Sequence, residues 1–185
     1  MTTKTRLSLA EFLRIPDIEE RRLELIDGEV HEKMSPRWGH STLASQLVIA
    51  LQSFGIVGVE PRAIIPEAPA WGPSAPIPDL ALYKTAQKSA QPKPDEWMTR
   101  PPDLVVELLS IGQSRTEMRA KASIYVEFGV PCVWVFDLER QTVDVYERGV
   151  RRNLAAADRL TCETLPQFSE RIGDLFARAG FDADS

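Results

Sequence analysis

The chain has 185 residues, 43% hydrophobic and 26% charged, the composition of an ordinary globular domain and close to the length of one. Its 22 Lys and Arg against 27 Asp and Glu leave a formal net charge of −5, which excludes bulk electrostatic attachment to nucleic acid and leaves only a local basic patch to do that work. No run approaches the ~18 uninterrupted apolar residues of a membrane span, and the polar opening Met1 to Arg6 leads into no signal-type apolar stretch, so a cytoplasmic protein with no membrane contact is expected.

Ser8 followed by Glu11 has the spacing of a capping box, and Leu9, Phe12 and Leu13 give a short amphipathic first helix. Asp27-Gly28, between Arg22–Ile26 and Glu29–Lys33, signals a hairpin, because Gly takes positive φ at little cost. Leu43, Leu47, Val48 and Leu51 fall at helical spacing in a long helix from about 38 to 54, closed by Gly55. A strand over 57–65 follows, then a loop over 66–76 carrying four prolines, at 66, 69, 73 and 76. Strands are predicted over 77–83 and 104–110, a helix over 113–128 stopped by Gly129, and strands over 133–137 and 142–146. A weaker strand near 159–164 and a helix over 169–179 close the chain. This order predicts a single domain over 1–185, a mixed sheet flanked by helices in the α/β or α+β class. The two cysteines, Cys132 and Cys162, fit no metal-ligand spacing and read as reduced thiols.

The informative residues are charges where the pattern demands apolar side chains. Leu104-Val-Val-Glu-Leu-Leu109 reads as a strand buried on both faces, with Glu107 in its middle. A buried carboxylate has to be paired, protonated or bound to a metal. Asp79 stands at the head of a second apolar strand, and two acids on two core strands can together hold Mg²⁺. On the helix over 113–128 the stripe of Ile124, Tyr125 and Phe128 runs back at helical spacing to Lys121 and Glu117. Four residues apart, Glu117 and Lys121 suit a surface ion pair, but their place on the apolar stripe favours a role beside the carboxylates. On the hairpin, period two puts Glu24, Ile26, Glu29, His31 and Lys33 on one face, where Glu24 and Lys33 read as solvated. His40 alone reads as a structural histidine.

Leu25-Ile-Asp-Gly-Glu29, Met34-Ser-Pro36 and His40 resemble the opening of the Uma-two family of restriction endonucleases. So do Pro78-Asp79-Leu-Ala, Pro102-Asp-Leu-Val-Val-Glu-Leu-Leu-Ser110, Lys121 with Tyr125, and Gly129-Val-Pro-Cys-Val-Trp134 leading to Asp137. The resemblance covers about residues 23–146 and implies a restriction-endonuclease-like core of the PD-(D/E)XK superfamily. It assigns Asp79 and Glu107 to the two signature acids, as catalytic residues and ligands of Mg²⁺, with Mn²⁺ as an alternative. The signature Lys position falls on Leu109, and Lys121 takes that role from the next helix. Glu29, His40, Glu117 and Tyr125 come in as supporting members. Two departures stand out: Ser110-Ile-Gly-Gln113 replaces a Ser-Pro-Ser-Thr run, and Glu117 replaces an Asp. The implied activity is metal-dependent hydrolysis of phosphodiesters in DNA, expected double-stranded, by a homodimer. Arg115, Arg119, Arg148, Arg151 and Arg152 are the candidate phosphate contacts. The alternative is an inactive nuclease-fold module that binds a protein or nucleic-acid partner.

Overall fold

The computed structural model describes residues 6–67, 69–86, 91–110 and 112–181. The expectations resting on Met1–Thr5 and Ile111 therefore lie outside the described residues. The chain opens with α1 (Leu9–Phe12), whose capping box closes as expected: Ser8 Oγ accepts from the Glu11 N–H while the Glu11 carboxylate accepts from the Ser8 N–H. β1 (Leu23–Ile26) and β2 (Glu29–Glu32) form the Asp27-Gly28 hairpin, with Ile26 opposite Glu29 and Glu24 opposite His31. Asp27 and Gly28 both take positive φ, at 51° and 77°, the backbone that such a turn requires.

After α2 (Trp38–Leu51), six strands build one sheet in the order β3-β4-β5-β6-β7-β8. These are β3 (Gly55–Val59), β4 (Leu80–Lys84), β5 (Leu104–Leu109), β6 (Cys132–Asp137), β7 (Thr142–Glu147) and β8 (Val150–Leu154). Only β5 and β6 run parallel, because α3 (Arg115–Phe128) carries the chain across between them. Ser114 caps α3 at its start, and Gly129, at φ 102°, ends it. β9 (Arg159–Cys162), β10 (Leu165–Arg171) and α4 (Ile172–Arg178) complete the chain. The result is the expected mixed sheet flanked by helices.

Alternation along β5 and β6 sorts two cores. Leu104, Val106, Leu108, Cys132, Trp134 and Phe136 face α2, α4 and the β9–β10 hairpin. Val105, Leu109, Val133 and Val135 face α3, through Met118, Ala122 and Tyr125. Glu107 falls on this second face by period two.

Several boundaries differ from expectation. The strand expected over 57–65 stops at Val59, because Glu60 turns to φ 49° and Pro61 has no N–H to donate. The strand expected from Ile77 begins at Leu80, since both backbone groups of Ile77 are taken by side chains of the site. The closing helix starts at Ile172 rather than Ser169, because Glu170 and Arg171 still pair with β9. β8 and β10 have no counterpart in the sequence reading; Arg148 and Gly149, both at positive φ, turn the chain into β8. No helix among the described residues is long and apolar enough to cross a membrane.

The β1–β2 hairpin is strapped to the chain that enters β4. Leu25 bridges Ala75, the Gly28 N–H donates to Pro73 O, and Asp27 Oδ1 accepts from the Gly72 N–H. Buried Arg62 donates to the carbonyls of Leu23 and Ala75. The proline-bearing loop thus presses one face of the hairpin against the head of β4.

Candidate active site

Asp79 lies one residue before Leu80, which pairs with Val106, so continuing the antiparallel register sets Asp79 opposite Glu107. A direct bond ties the two strands there: Asp79 Oδ2 accepts from the Leu108 N–H at 2.6 Å. Both acids are buried, at 3% and 1% exposure.

Each acid is met by an ammonium. Lys33 Nζ lies 2.7 Å from Asp79 Oδ1 and also donates to Ile77 O at 2.7 Å. Lys121 Nζ lies 2.9 Å from Glu107 Oε1 and 2.8 Å from Glu24 Oε1, and reaches Ile77 O at 3.3 Å. Glu24 Oε1 accepts from the Ile77 N–H at 2.6 Å. The Ile77 peptide therefore stands at the centre, its N–H on one carboxylate and its carbonyl between two lysines. The Tyr125 hydroxyl donates to Glu107 Oε1 at 2.7 Å, and His40 Nε2 lies 3.3 Å from Asp79 Oδ2. Lys33 continues outward to Glu60, at 3.6 Å, which in turn pairs with Arg22.

The two acids titrate in opposite directions. Burial alone would raise Asp79, but the charges of Lys33, His40 and Lys121 hold it far below the usual carboxylate range. Burial raises Glu107, with Asp79 and Glu24 adding to it and Lys121 and Lys33 opposing it. Burial would lower Lys121, yet Glu107, Glu24 and Asp79 lift it above its ordinary value. Burial, followed by the nearby Glu107, pushes Tyr125 well up, so its hydroxyl keeps its proton and stays a donor. Such opposed acids beside fixed cations are an arrangement that perturbed functional sites share.

These groups open onto a cleft of about 700 Å³, lined among others by Asp79, Glu107, Lys121, Lys33, Glu24 and Glu117. The fold brings Asp79, Glu107, Lys121, Tyr125 and His40 together. Glu29 sits half-buried on the cleft wall, and Glu117 lies exposed at its mouth. Lys121 takes Glu24 and Glu107 as partners, so the surface pairing with Glu117 gives way to a buried one.

One sequence expectation is overturned. Glu24 and Lys33, read as solvated, belong to the centre, because the chain entering β4 covers the hairpin face that carries them. The proposed arginine contacts do not line the cleft. Arg115 pairs with Asp137 and Glu139, Arg148 with Glu163, Arg151 with Asp144, and Arg152 faces Glu147.

Glu24, Asp79, Glu107 and the Ile77 carbonyl make an all-oxygen donor set, the chemistry preferred by hard divalent cations. The lysine ammoniums, each in contact with two or three of these oxygens, already occupy positions where positive charge is held. The donor chemistry suits such an ion, while the spacing is set by the two lysines: among the described residues, Cys132, Glu147 and Cys162 are the group that brings three ligand atoms within 4.8 Å of one another.

The sequence profile of the Uma2 family, described as "Putative restriction endonuclease", matches residues 9–175. The chain belongs to this family. A crystal structure described as a "putative nuclease belonging to DUF820" from Anabaena variabilis ATCC 29413 superposes with a TM-score of 0.77. That likeness covers 94% of this chain and 99% of that one at 22% identity, and it establishes a shared fold. No curated protein matches the chain.

Proposed function

We propose that this Uma2-family protein is a divalent-metal-dependent endonuclease that hydrolyses phosphodiester bonds of double-stranded DNA. The observation that carries the reading is the convergence of Glu24, Asp79 and Glu107 with Lys33 and Lys121 around the Ile77 peptide at the floor of one cleft. Asp79 and Glu107 are the proposed ligands of Mg²⁺, with Mn²⁺ able to substitute, and Glu24 stands on their third side. The ion would polarise the phosphoryl oxygen and lower the pKa of a bound water.

The protein's own groups carry the rest. Asp79 stays ionised across the working pH range and offers a permanent negative charge. Burial makes Glu107 the more readily protonated of the two acids, and Tyr125 fixes its orientation through Oε1. Lys121 supplies a positive charge to the phosphate, stabilising charge that develops on the non-bridging oxygens. His40 and Lys33 hold Asp79 in place, while Glu29 and Glu117 border the substrate's path. A cleavage assay on assorted DNA with Mg²⁺ or Mn²⁺, beside an Asp79→Ala control, tests the reading. Metal-dependent strand scission that disappears in the control supports it. Scission of the same rate in the control removes Asp79 from the chemistry.

One observation favours the alternative, a non-catalytic module on the same fold: both lysines already pair with the acids, and the five arginines named above lie away from the cleft. Metal titration separates the two, because a binding module has no need to hold Mg²⁺ through Asp79 and Glu107.

A further inference from the structure

The fold brings the two cysteines, distant in sequence, to one place on the sheet face opposite Glu107. Cys132 opens β6, and Glu147, at the end of β7, is its direct partner across the ladder. Cys162 ends β9, where the turn through Glu163 and Thr164 hands the chain to β10. The two sulfurs and a Glu147 carboxylate oxygen all lie within 4.8 Å of one another. Cys132 and Cys162 are 0% and 5% exposed, and the Glu147 side chain 8%. A tetrahedral ion with bonds of ~2.3 Å to sulfur and ~2.0–2.2 Å to oxygen sets its ligand atoms roughly 3.5–3.8 Å apart, so small side-chain rotations close the set.

Hydrogen-bond donors surround the three groups. Thr164 N–H and Oγ–H donate to Glu147 Oε1 at 3.0 and 3.1 Å, and Arg152 lies 3.8 Å from Oε2. The Trp134 indole N–H is fully buried without an acceptor, on the same face of β6 as Cys132 and two residues from it. Buried donors rarely go unpaired, and an anionic sulfur would satisfy this one.

We infer that Cys132, Cys162 and Glu147 form a binding site for a thiophilic divalent cation, zinc first among them, separate from the oxygen-lined cleft. Thiolate ligands select such ions over Mg²⁺. Three protein ligands leave the fourth position of a tetrahedron to a water or to the Thr164 hydroxyl. The bound ion joins β6 and β7 of the large sheet to the β9–β10 hairpin and fixes the hairpin that covers Trp134. The hydrogen bonds from Thr164 to Glu147 are the kind of outer contacts that orient metal ligands.

Cobalt(II) is the probe, because sulfur ligation gives a thiolate-to-cobalt charge-transfer band that carboxylate ligation does not. The full chain, reduced and stripped with chelator, is expected to bind one sulfur-ligated Co²⁺ that gives that band, apart from any ion in the oxygen-lined cleft, and to release it to Zn²⁺, which binds such sites more tightly. Cys162→Ser should abolish the band, Glu147→Gln should weaken binding by at least ~10-fold, and Asp79→Asn should leave both untouched. If Cys162→Ser does not fold, protection of the wild-type thiols from an alkylating reagent by Zn²⁺ decides instead. Absence of the band with both thiols still reactive at saturating Zn²⁺ overturns the site. A native mass lower by two hydrogens, the mark of a disulfide, overturns it as well.

Discussion

Replacing Lys121 with Met keeps the aliphatic stem and removes the ammonium, so it isolates the charge at the centre of the cluster. The Lys121 side chain is 11% exposed and touches two carboxylates whose side chains are 8% and 1% exposed, at 2.8 and 2.9 Å. Removing one partner from a buried ion pair costs ~3–5 kcal/mol, because the remaining charge stays out of water. For a protein of this size that is a fall in Tm of ~6–20 °C in metal-free buffer at pH 8. The sign of the pH dependence follows from Glu107. Its folded pKa is already raised, and loss of Lys121 raises it further. A group with a raised folded pKa gives its full stability below its unfolded value and loses it as pH rises through the folded one. The deficit of Lys121→Met therefore shrinks by up to ~1.4 kcal/mol per pH unit as pH falls between the wild-type and variant values of Glu107. Thermal melts of both proteins from pH 8 to pH 5 measure this. A variant melting within ~2 °C of the wild type at pH 8 would refute the buried placement of Lys121, since an exposed pair is worth only ~0–1 kcal/mol.

The depressed Asp79 works in the opposite sense: its contribution is present above the unfolded value of 3.8 and is lost as pH falls through the lower folded one, so Asp79→Asn should flatten the acid limb of a pH–stability curve. Lys121→Ala should slow cleavage by ~10²–10³-fold, while Lys121→Arg should not restore the rate, because a planar guanidinium does not replace a compact ammonium. Kinetics on a cleavable DNA with matched circular dichroism check both. Gly55→Ala drives a Cβ into the Tyr83 carbonyl and against the Lys84 backbone, so β3 has to shift, at a cost of ~1–3 kcal/mol in a urea melt. Homodimerisation, implied by the family resemblance, predicts twice the 20.7 kDa chain mass by light scattering, and a monomer at working concentration contradicts it.

The parts of the site that were legible in the sequence are those whose signal is local. Glu107 shows because a carboxylate interrupts an apolar run, and Lys121 because helical spacing carries the stripe of Ile124 and Tyr125 back to it. The Asp27-Gly28 hairpin came out in register for the same reason. Glu24 and Lys33 were hidden because their burial depends on Ile77 and Asp79, more than forty residues away in the chain. Period two put them correctly on one face but could not say what covers it. β8 was missed because an edge strand reading Val-Arg-Arg-Asn-Leu buries little and shows no apolar alternation. The carboxylate partners of the arginines were hidden for a related reason: they come from neighbouring strands and the turns between them, not from the arginines' own segments.

Titration of the wild-type protein with Mn²⁺, followed by electron paramagnetic resonance and repeated on Asp79→Ala, tests the central claim without a known substrate. Manganese prefers oxygen ligands, so the cysteine-bearing site does not compete for it. The account predicts saturable Mn²⁺ binding by the wild type, strengthening as pH rises through the raised value of Glu107, and at least ~10-fold weaker binding by a folded Asp79→Ala. Equal affinity and stoichiometry in the two proteins would contradict it.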